Sequence, residues 1–401
     1  MRVLRDGYFL GIGTNHLAVD MLNSQIAVLV VYLSPSLGLS NSDIGLVVLI
    51  YLGCGSLTQP VFGWLLDRYR IEWIVGAALL WLATWVSVAV TVSGMWGVVA
   101  LATAALGAAA FHASGIERAS MRGGIIMGGR AATAASIFMC FGMTGTTLGP
   151  MIGGRLLEDI GVRGILLITG LAIPVAINSL VQVNRGKLER RGAEESFKVD
   201  QGKNDHNDRS QVGWVVVAIA LAAILVSGPG MTSITFLPKL LQDRNFSPSA
   251  YGMATSVFVG GAALGGLLGG ILADRFGKWK IVFWTMLMAI GPMYYYPVVR
   301  GGGMYVLVLL AGIFTGAATP VIVVLAQSLF PRWRALASGL TMGFMFASAA
   351  LCAYFFGIAA DAYSLEAVLR VNAAMCLVCA LVSLMFLFGS RERLAVLESV
   401  G

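Results

Sequence analysis

The chain has 401 residues, of which 58% are hydrophobic and only 12% charged, and its mean hydropathy is +0.82. A soluble domain usually carries about 25% charged residues. The composition therefore excludes an ordinary soluble protein and makes the lipid bilayer the solvent for most of the chain. The formal net charge of +7 therefore has to be interpreted as that of a membrane protein.

Apolar segments long enough to cross a bilayer follow one another along the whole chain. About 20 apolar residues are needed for a helix to span the hydrocarbon core. Windows of that length predict twelve transmembrane helices and an all-α membrane protein. The predicted segments are 7–33, 42–66, 73–92, 95–117, 131–155, 161–183, 212–237, 248–272, 279–299, 303–328, 335–360 and 364–389.

We do not expect the first segment to be a cleaved signal peptide, because it contains polar residues where a signal peptide would be purely apolar. These residues are Asn15, His16, Asp20 and Asn23. We therefore expect the segment to remain in the protein as its first transmembrane helix.

The 27 Lys and Arg residues are unevenly distributed between the connecting segments. If the N-terminus is cytoplasmic, most of them fall in cytoplasmic segments, as the positive-inside rule requires. The sequence predicts a multi-pass protein of the inner (cytoplasmic) membrane with both termini in the cytoplasm. Because the basic residues lie in membrane-facing turns without interleaved aromatic residues, we expect no nucleic-acid partner.

One connecting segment is longer and more polar than the others. Residues 184–212 are charge-mixed and almost free of apolar residues, which is typical of a flexible cytoplasmic linker. The linker separates an N-terminal six-helix half (1–183) from a C-terminal six-helix half (213–401). The other loops are too short for a catalytic or nucleotide-binding module, so we expect neither an enzyme nor an ATP-driven pump.

A short glycine and Asp-Arg motif closes one long apolar segment in each half. The copies are Gly63, Asp67 and Arg68 and, 207 residues later, Gly270, Asp274 and Arg275. Each glycine would let helix ends approach, and each Asp-Arg pair would hold a closed state and release it on opening. The alternative is that this turn only anchors the topology, which means that its charges fix the orientation of the helices in the membrane.

The offset of 207 residues extends beyond the motif, because Gly45 falls on Gly252 and Gly53 falls on Gly260. The sequence therefore predicts two six-helix pseudo-repeats around a central cavity. Duplicated membrane units of this kind usually move solutes.

The fifth predicted helix contains a row of glycines around a proline. The residues are Gly145, Gly149, Pro150, Gly153 and Gly154. The proline would kink the helix, since it removes a backbone donor, and the glycines would open a groove for a neighbouring helix.

Together, the two six-helix halves, the cytoplasmic linker and the repeated Asp-Arg turn resemble the major facilitator superfamily over essentially the whole chain. The glycine and proline row is similar to the antiporter motif of that family, which implies export in exchange for protons. Three further segments resemble the fosmidomycin-resistance-type efflux branch. Their residues are Asn15, His16, Asp20 and Asn23, then Ala110, Phe111 and His112, and Gln59 with Pro60.

Polar residues of the first helix form the strongest candidate site. His16, Asp20 and Asn23 are spaced to share one helix face, and Asp20 lies near the middle of the membrane. An unpaired carboxylate there costs at least ~2.5 kcal/mol, so the face must be turned away from lipid. In the family the first and fourth helices line the cavity, which implies that His112 could join the same network.

The second half lacks titratable groups at the equivalent positions. At the 207-residue offset, His16, Asp20, Asn23 and His112 correspond to Ala223, Ser227, Gly230 and Thr319. The fold therefore does not require the charged cluster. We expect Asp20 and His16 to carry a proton, because such a pair can exchange a proton for a ligand, while hydrogen-bonded scaffolding is the alternative.

Other polar residues could line the substrate cavity or simply join helices. The candidates for the cavity are Asn15, Asn23, Gln59, His112, Thr315 and Thr319. The five cysteines lie inside predicted helices, where thiols pack as small apolar groups. We expect no disulfide, no metal and no cofactor.

The sequence thus predicts a proton-coupled secondary active transporter that exports a small organic compound by alternating access. Its expected partners are a small-molecule substrate, protons and membrane lipids, and we expect a monomer. A proton symporter that imports a nutrient is one alternative. A non-transporting receptor or lipid-handling protein on the same scaffold is the other.

Overall fold

The structure is a computed structural model that describes residues 3–69, 71, 73–92, 94–128, 130–190, 212–329 and 334–398. The regular structure in these ranges is helical. A short 3₁₀ helix, Val3–Arg5, precedes thirteen α-helices. They are α1 Gly7–Ser24, α2 Ile26–Leu37, α3 Asn41–Tyr69, α4 Ile74–Thr91, α5 Met95–Ile126, α6 Ala131–Ile160, α7 Arg163–Arg190, α8 Val212–Asp243, α9 Pro248–Phe276, α10 Lys278–Tyr295, α11 Gly302–Leu329, α12 Arg334–Ala362 and α13 Leu365–Glu398.

The thirteen helices make twelve membrane segments, because α1 and α2 together form the first one and are separated at Gln25. Eleven of the segments in the described ranges are long and apolar enough to cross a membrane. The remaining segment is α10, whose mean hydropathy is lowered by Lys278 and Lys280 at its start. The all-α fold with twelve helices is thus confirmed.

The predicted linker begins inside a helix. Helix α7 continues to Arg190, so 184–190 extend the helix, while α8 begins at Val212. Residues 191–211, which make up the rest of the predicted linker, lie outside the described residues. For these residues the flexible cytoplasmic linker therefore stays a prediction.

Sharp turns at two glycines end long helices. Gly161 has φ of 64° after α6, and Gly277 has φ of 101° between α9 and α10. Glycine adopts this left-handed conformation without the steric cost that a Cβ atom imposes. The next helix can then start within a few residues.

The chain divides into two compact units. Unit 1 consists of Met1–Leu37, Ile50–Asn204 and Phe246–Ser256, and unit 2 consists of Gly38–Leu49, Asp205–Asn245 and Val257–Gly401. The units follow the two predicted halves except at the starts of α3 and α9. Those starts belong to the unit formed by the opposite half of the sequence.

Both units repeat one pattern of helix pairing. In unit 1, α1 packs against α6 and α7, while α4 packs against α5 and α7. In unit 2, α8 packs against α12 and α13, while α10 packs against α11 and α13. Helices in lipid associate through close packing, and the first helix of each repeat is central to its unit.

Candidate functional site

The glycines of α6 form a groove for α1. A Cβ atom built on Gly145 would be 2.9 Å from the backbone carbon of Leu17, and one built on Gly153 would be 2.6 Å from Oε1 of Gln25. The spacing of these glycines places them on one helix face. Gly145, Gly149 and Gly153 of the antiporter-type row therefore let α6 approach the α1 segment to backbone contact.

One more glycine belongs to this groove, although it lies before the predicted motif. A Cβ atom on Gly142 would collide with the His16 ring and would lie 2.7 Å from Oδ2 of Asp20. Gly142 is three residues before Gly145, so an extended glycine pattern could have identified it from the sequence. Its absent side chain leaves space for the polar face of α1.

The structure brings His16, Asp20 and His112 together within unit 1. Nε2 of His16 lies 3.3 Å from Oδ2 of Asp20, and Nε2 of His112 lies 3.2 Å from Oδ1 of the same carboxylate. The hydroxyl of Thr146 on α6 donates to Oδ2 of Asp20 at 3.3 Å. The carboxylate is therefore held by one group from each of α1, α5 and α6.

The three side chains differ in their access to the surroundings. The side chain of His16 is 3% exposed, that of Asp20 is 14% exposed and that of His112 is 30% exposed. A proton or ligand would therefore reach the cluster through the His112 side, while His16 forms its closed inner end.

The ring orientation of His16 is fixed by α6. Nδ1 of His16 lies 3.0 Å from the carbonyl oxygen of Phe138, and the two aromatic rings stack with centroids 4.1 Å apart. A carbonyl oxygen only accepts, so Nδ1 must carry a hydrogen. In a neutral ring Nε2 would then present a lone pair to Asp20. The contact with Asp20 therefore requires a shared proton or another cation.

The ligand atoms of His16, Asp20 and His112 all lie within 4.8 Å of one another. This spacing has room for a proton or a small cation between the groups. The sequence could place His16 and Asp20 on one helix face, but it could not show how closely His112 approaches. The roles of the Phe138 carbonyl and of Thr146 were likewise not identified from the sequence.

Two asparagines of α1 have different surroundings. The hydroxyl of Tyr51 on α3 donates to Oδ1 of Asn23. Asn15 is fully buried, and its Nδ2 donates to the carbonyl oxygen of Val75 at 2.7 Å and to Oγ of Ser179 at 3.3 Å. Asn15 thus ties α1 to α4 and α7.

The other predicted cavity residues lie on α3 and α11. Gln59 is half-buried on α3. Thr315 is buried and donates to the carbonyl oxygen of Ala311 at 2.7 Å, while Thr319 is exposed and donates to that of Thr315 at 3.5 Å. The two threonine hydroxyls are therefore satisfied within their own helix.

The two Asp-Arg turns are loosely packed. A Cβ atom on Gly63 or Gly270 would meet nothing within 4 Å. The guanidinium of Arg68 lies 5.8 Å from the Tyr69 ring centroid, and that of Arg275 lies 5.3 Å from the Phe276 ring centroid.

The structure describes the side chain of one of the two aspartates in these turns but not that of the other. Asp274 is exposed, and within the described part of the chain it makes no ion pair. The side chain of Asp67 lies outside the described residues. The gating function of both turns stays a prediction.

The amino-acid sequence matches the Major Facilitator Superfamily over residues 9–228 and again over residues 219–399. The chain therefore belongs to the major facilitator superfamily. It is a multi-pass membrane protein and a secondary transporter, not an enzyme. The predicted family is confirmed, and the alternative of a non-transporting receptor is not supported.

Two similar proteins cover nearly the whole chain. The fosmidomycin resistance protein of Escherichia coli (strain K12) is 28% identical over 373 residues, which cover 90% of this chain and 88% of that protein. The uncharacterized MFS-type transporter YfnC of Bacillus subtilis (strain 168) is 26% identical over 370 residues, which cover 88% of this chain and 86% of that protein.

The fold is also similar to that of a solved transporter. A bacterial homologue of the human lysosomal transporter Spinster, in an inward-facing and occupied conformation, gives a TM-score of 0.76 at 13% identity. The likeness covers 94% of this chain and 95% of that chain. At this low identity, the likeness concerns the fold alone.

Proposed function

We propose that the chain is a proton-coupled antiporter that exports a small organic compound by alternating access. Asp20 and His16 carry the proton in this proposal, and His112 is shared between the proton and the substrate. The observation that carries it is the placement of Asp20 between two imidazoles, at 3.3 and 3.2 Å, inside a membrane segment.

The position of His112 supports an exchange of proton for substrate. Its Nε2 contacts Asp20, and its side chain is the most exposed of the three. A substrate group that accepts a hydrogen bond from His112 competes with the carboxylate for the same donor. Such competition couples substrate binding to the protonation of Asp20, because each changes the affinity for the other.

The direction of transport is supported by one relative and one structural feature. The relative is the fosmidomycin resistance protein, whose name indicates a role in resistance, at 28% identity. The feature is the glycine groove of α6, which contains the antiporter-type residues and directly contacts His16 and Asp20 through Gly142. We take fosmidomycin as the first compound to test.

The proposal also includes the orientation of the chain in the membrane. We place both termini in the cytoplasm of a cell with an inner membrane, because most of the Lys and Arg residues then lie on the cytoplasmic side. The Asp-Arg turns at Asp67 and Asp274 are cytoplasmic gates in this arrangement, and the protein acts as a monomer.

The decisive experiment measures proton movement in liposomes that contain the purified protein and an internal pH-sensitive dye. An imposed gradient of fosmidomycin should drive protons in the opposite direction, and protein-free liposomes should show no such flux. Proton movement in the same direction as the compound would establish symport. Transport of the compound without any proton movement would contradict the coupling.

A further inference from the structure

Two helices that occupy equivalent positions in the repeats begin with the same local cap. The backbone amide of Asp43 donates to Oγ of Ser40 at 3.1 Å at the start of α3, and that of Ala250 donates to Oγ of Ser247 at 3.4 Å at the start of α9. Ser40 and Ser247 are 207 residues apart, which is the repeat offset. Each serine satisfies the third amide of its helix, and the earlier amides still need partners.

Carboxylates from distant helices supply those partners. The amides of Asn41 and Ser42 donate to Oδ1 and Oδ2 of Asp361 at 2.8 and 2.9 Å. Asp361 lies near the end of α12, 320 residues from Asn41 in the sequence. All of these residues belong to unit 2.

The start of α9 has the matching contact in unit 1. The amide of Ser249, the repeat equivalent of Ser42, donates to Oε2 of Glu158 at 2.9 Å, and Glu158 lies near the end of α6. Pro248 has no amide hydrogen, so Glu158 accepts one backbone hydrogen bond where Asp361 accepts two.

Glycines bring the same helices into backbone contact beside each carboxylate. A Cβ atom on Gly45 would lie 2.8 Å from the carbonyl oxygen of Ala353 on α12. A Cβ atom on Gly252, the repeat equivalent of Gly45, would lie 3.0 Å from Cα of Gly154 on α6. Gly45 and Gly252, which extend the repeat beyond the Asp-Arg motif, therefore pack against the helices that carry Asp361 and Glu158.

We propose that Asp361 and Glu158 form a pair of equivalent latches, which hold the starts of α3 and α9 against α12 and α6 in one state of the transport cycle. The inference rests on alternating access, and with cytoplasmic termini both latches lie on the periplasmic side. A carboxylate at a helix start is favourable because it meets the positive end of the helix dipole and makes charge-assisted hydrogen bonds.

The exposure of both carboxylates makes these contacts reversible. Asp361 and Glu158 are exposed, so water can replace the backbone amides when the helices separate. A purely local cap would come from a neighbouring residue, as Ser40 and Ser247 do. The Asp361 latch is the stronger one, since it has one more backbone hydrogen bond.

The first test measures hydrogen exchange of the full-length protein in lipid nanodiscs. Asp361→Asn should speed exchange of the first-turn amides of α3 by about three-fold or more, and Glu158→Gln should have a smaller effect at α9. Each substitution should have its largest effect at its own helix start. Asp159→Asn is the matched control, because Asp159 pairs with Arg155 of its own helix at 2.9 Å. Unchanged exchange in both variants would overturn the proposal.

The second test separates a latch from a static cap. Spin labels at Leu46 and Tyr363, in a cysteine-free background, report the distance between α3 and α12. Asp361→Asn should raise the population of the longer distance at least two-fold relative to the parent. If amide hydrogen exchange becomes faster but the spin-label distances do not change, Asp361 is only a static helix cap. That result would overturn the latch proposal. Neither readout uses substrate or a proton gradient, so a failed coupling experiment leaves this result interpretable.

Discussion

The first helices of the two units place different side chains at equivalent positions. On α1, His16 and Asp20 contact each other at 3.3 Å. On α8, the equivalent residues are Ala223 and Ser227, and the hydroxyl of Ser227 donates to the carbonyl oxygen of Ala223 at 2.7 Å. The same helix pairing therefore forms with or without titratable groups.

Unit 2 instead has a neutral polar cluster, which is fully buried. The hydroxyl of Thr232 donates to Oδ1 of Asn372 at 2.8 Å, and the hydroxyls of Ser233 and Tyr296 lie 3.0 Å apart. Neutral groups of this kind join helices at a lower desolvation cost than charged groups do. Neutral side chains can therefore satisfy the fold, which supports the proposal that the titratable cluster of unit 1 serves transport.

The largest effect on transport is expected at Asp20, because the equivalent residue of unit 2 is the neutral Ser227. Asp20→Asn keeps the shape of the side chain but cannot gain or lose the proton. Transport driven by a pH gradient should fall to the level of protein-free vesicles, while exchange without a gradient survives. Ser227→Ala, the equivalent change in unit 2, should leave driven transport near normal. The measurement is uptake into inverted vesicles with and without an imposed gradient. If the Asp20→Asn protein still concentrates substrate, then the cluster of His16, Asp20 and His112 has only a structural role.

A methyl group in the α6 groove should have the next largest effect. Gly142→Ala places a Cβ atom against His16 and Asp20, so α1 has to shift, at a cost of about 1–3 kcal/mol in stability. Driven transport should decrease in parallel. Gly343→Ala on α12 is the matched control, because a Cβ atom there meets nothing within 4 Å. Equal thermal stability and transport for both variants would show that the close approach at Gly142 is unimportant.

Replacing the inner histidine should have an intermediate effect. His16→Gln removes the titratable ring beside Asp20 but leaves His112 in contact with the carboxylate. We expect driven transport to persist at a reduced rate and to depend less steeply on pH than in the wild type, because one possible proton partner of Asp20 is lost. A pH series of uptake rates tests this expectation. A wild-type pH profile would show that His16 only orients Asp20.

The smallest effect is expected in the neutral cluster of unit 2. Tyr296→Phe removes one hydroxyl and leaves Ser233 with its bond to the carbonyl oxygen of Pro229 at 2.7 Å. The cost should be about 1 kcal/mol in stability, with an unchanged pH dependence of transport. Thermal unfolding and the same uptake series provide the comparison. A changed pH profile would mean that unit 2 also takes part in coupling.

The sequence by itself determined the number of membrane segments and the family. In lipid each backbone polar group has to be satisfied within its own helix, so a long apolar run is enough to predict a spanning segment. The repeat offset likewise identified Gly45 and Gly252 without any structure. The spacing of His16 and Asp20 placed them on one helix face because both residues lie in the same regular helix.

Only the tertiary structure decided which helix faces meet. A helix in a membrane is apolar on most sides, so its sequence carries little information about its rotation. For that reason, the sequence could not show that Asn15 points toward α4 and α7 or that Gly142 makes room for His16. Nor could it pair Asp361 with the start of α3, because that contact joins residues 320 positions apart and depends on how whole helices pack.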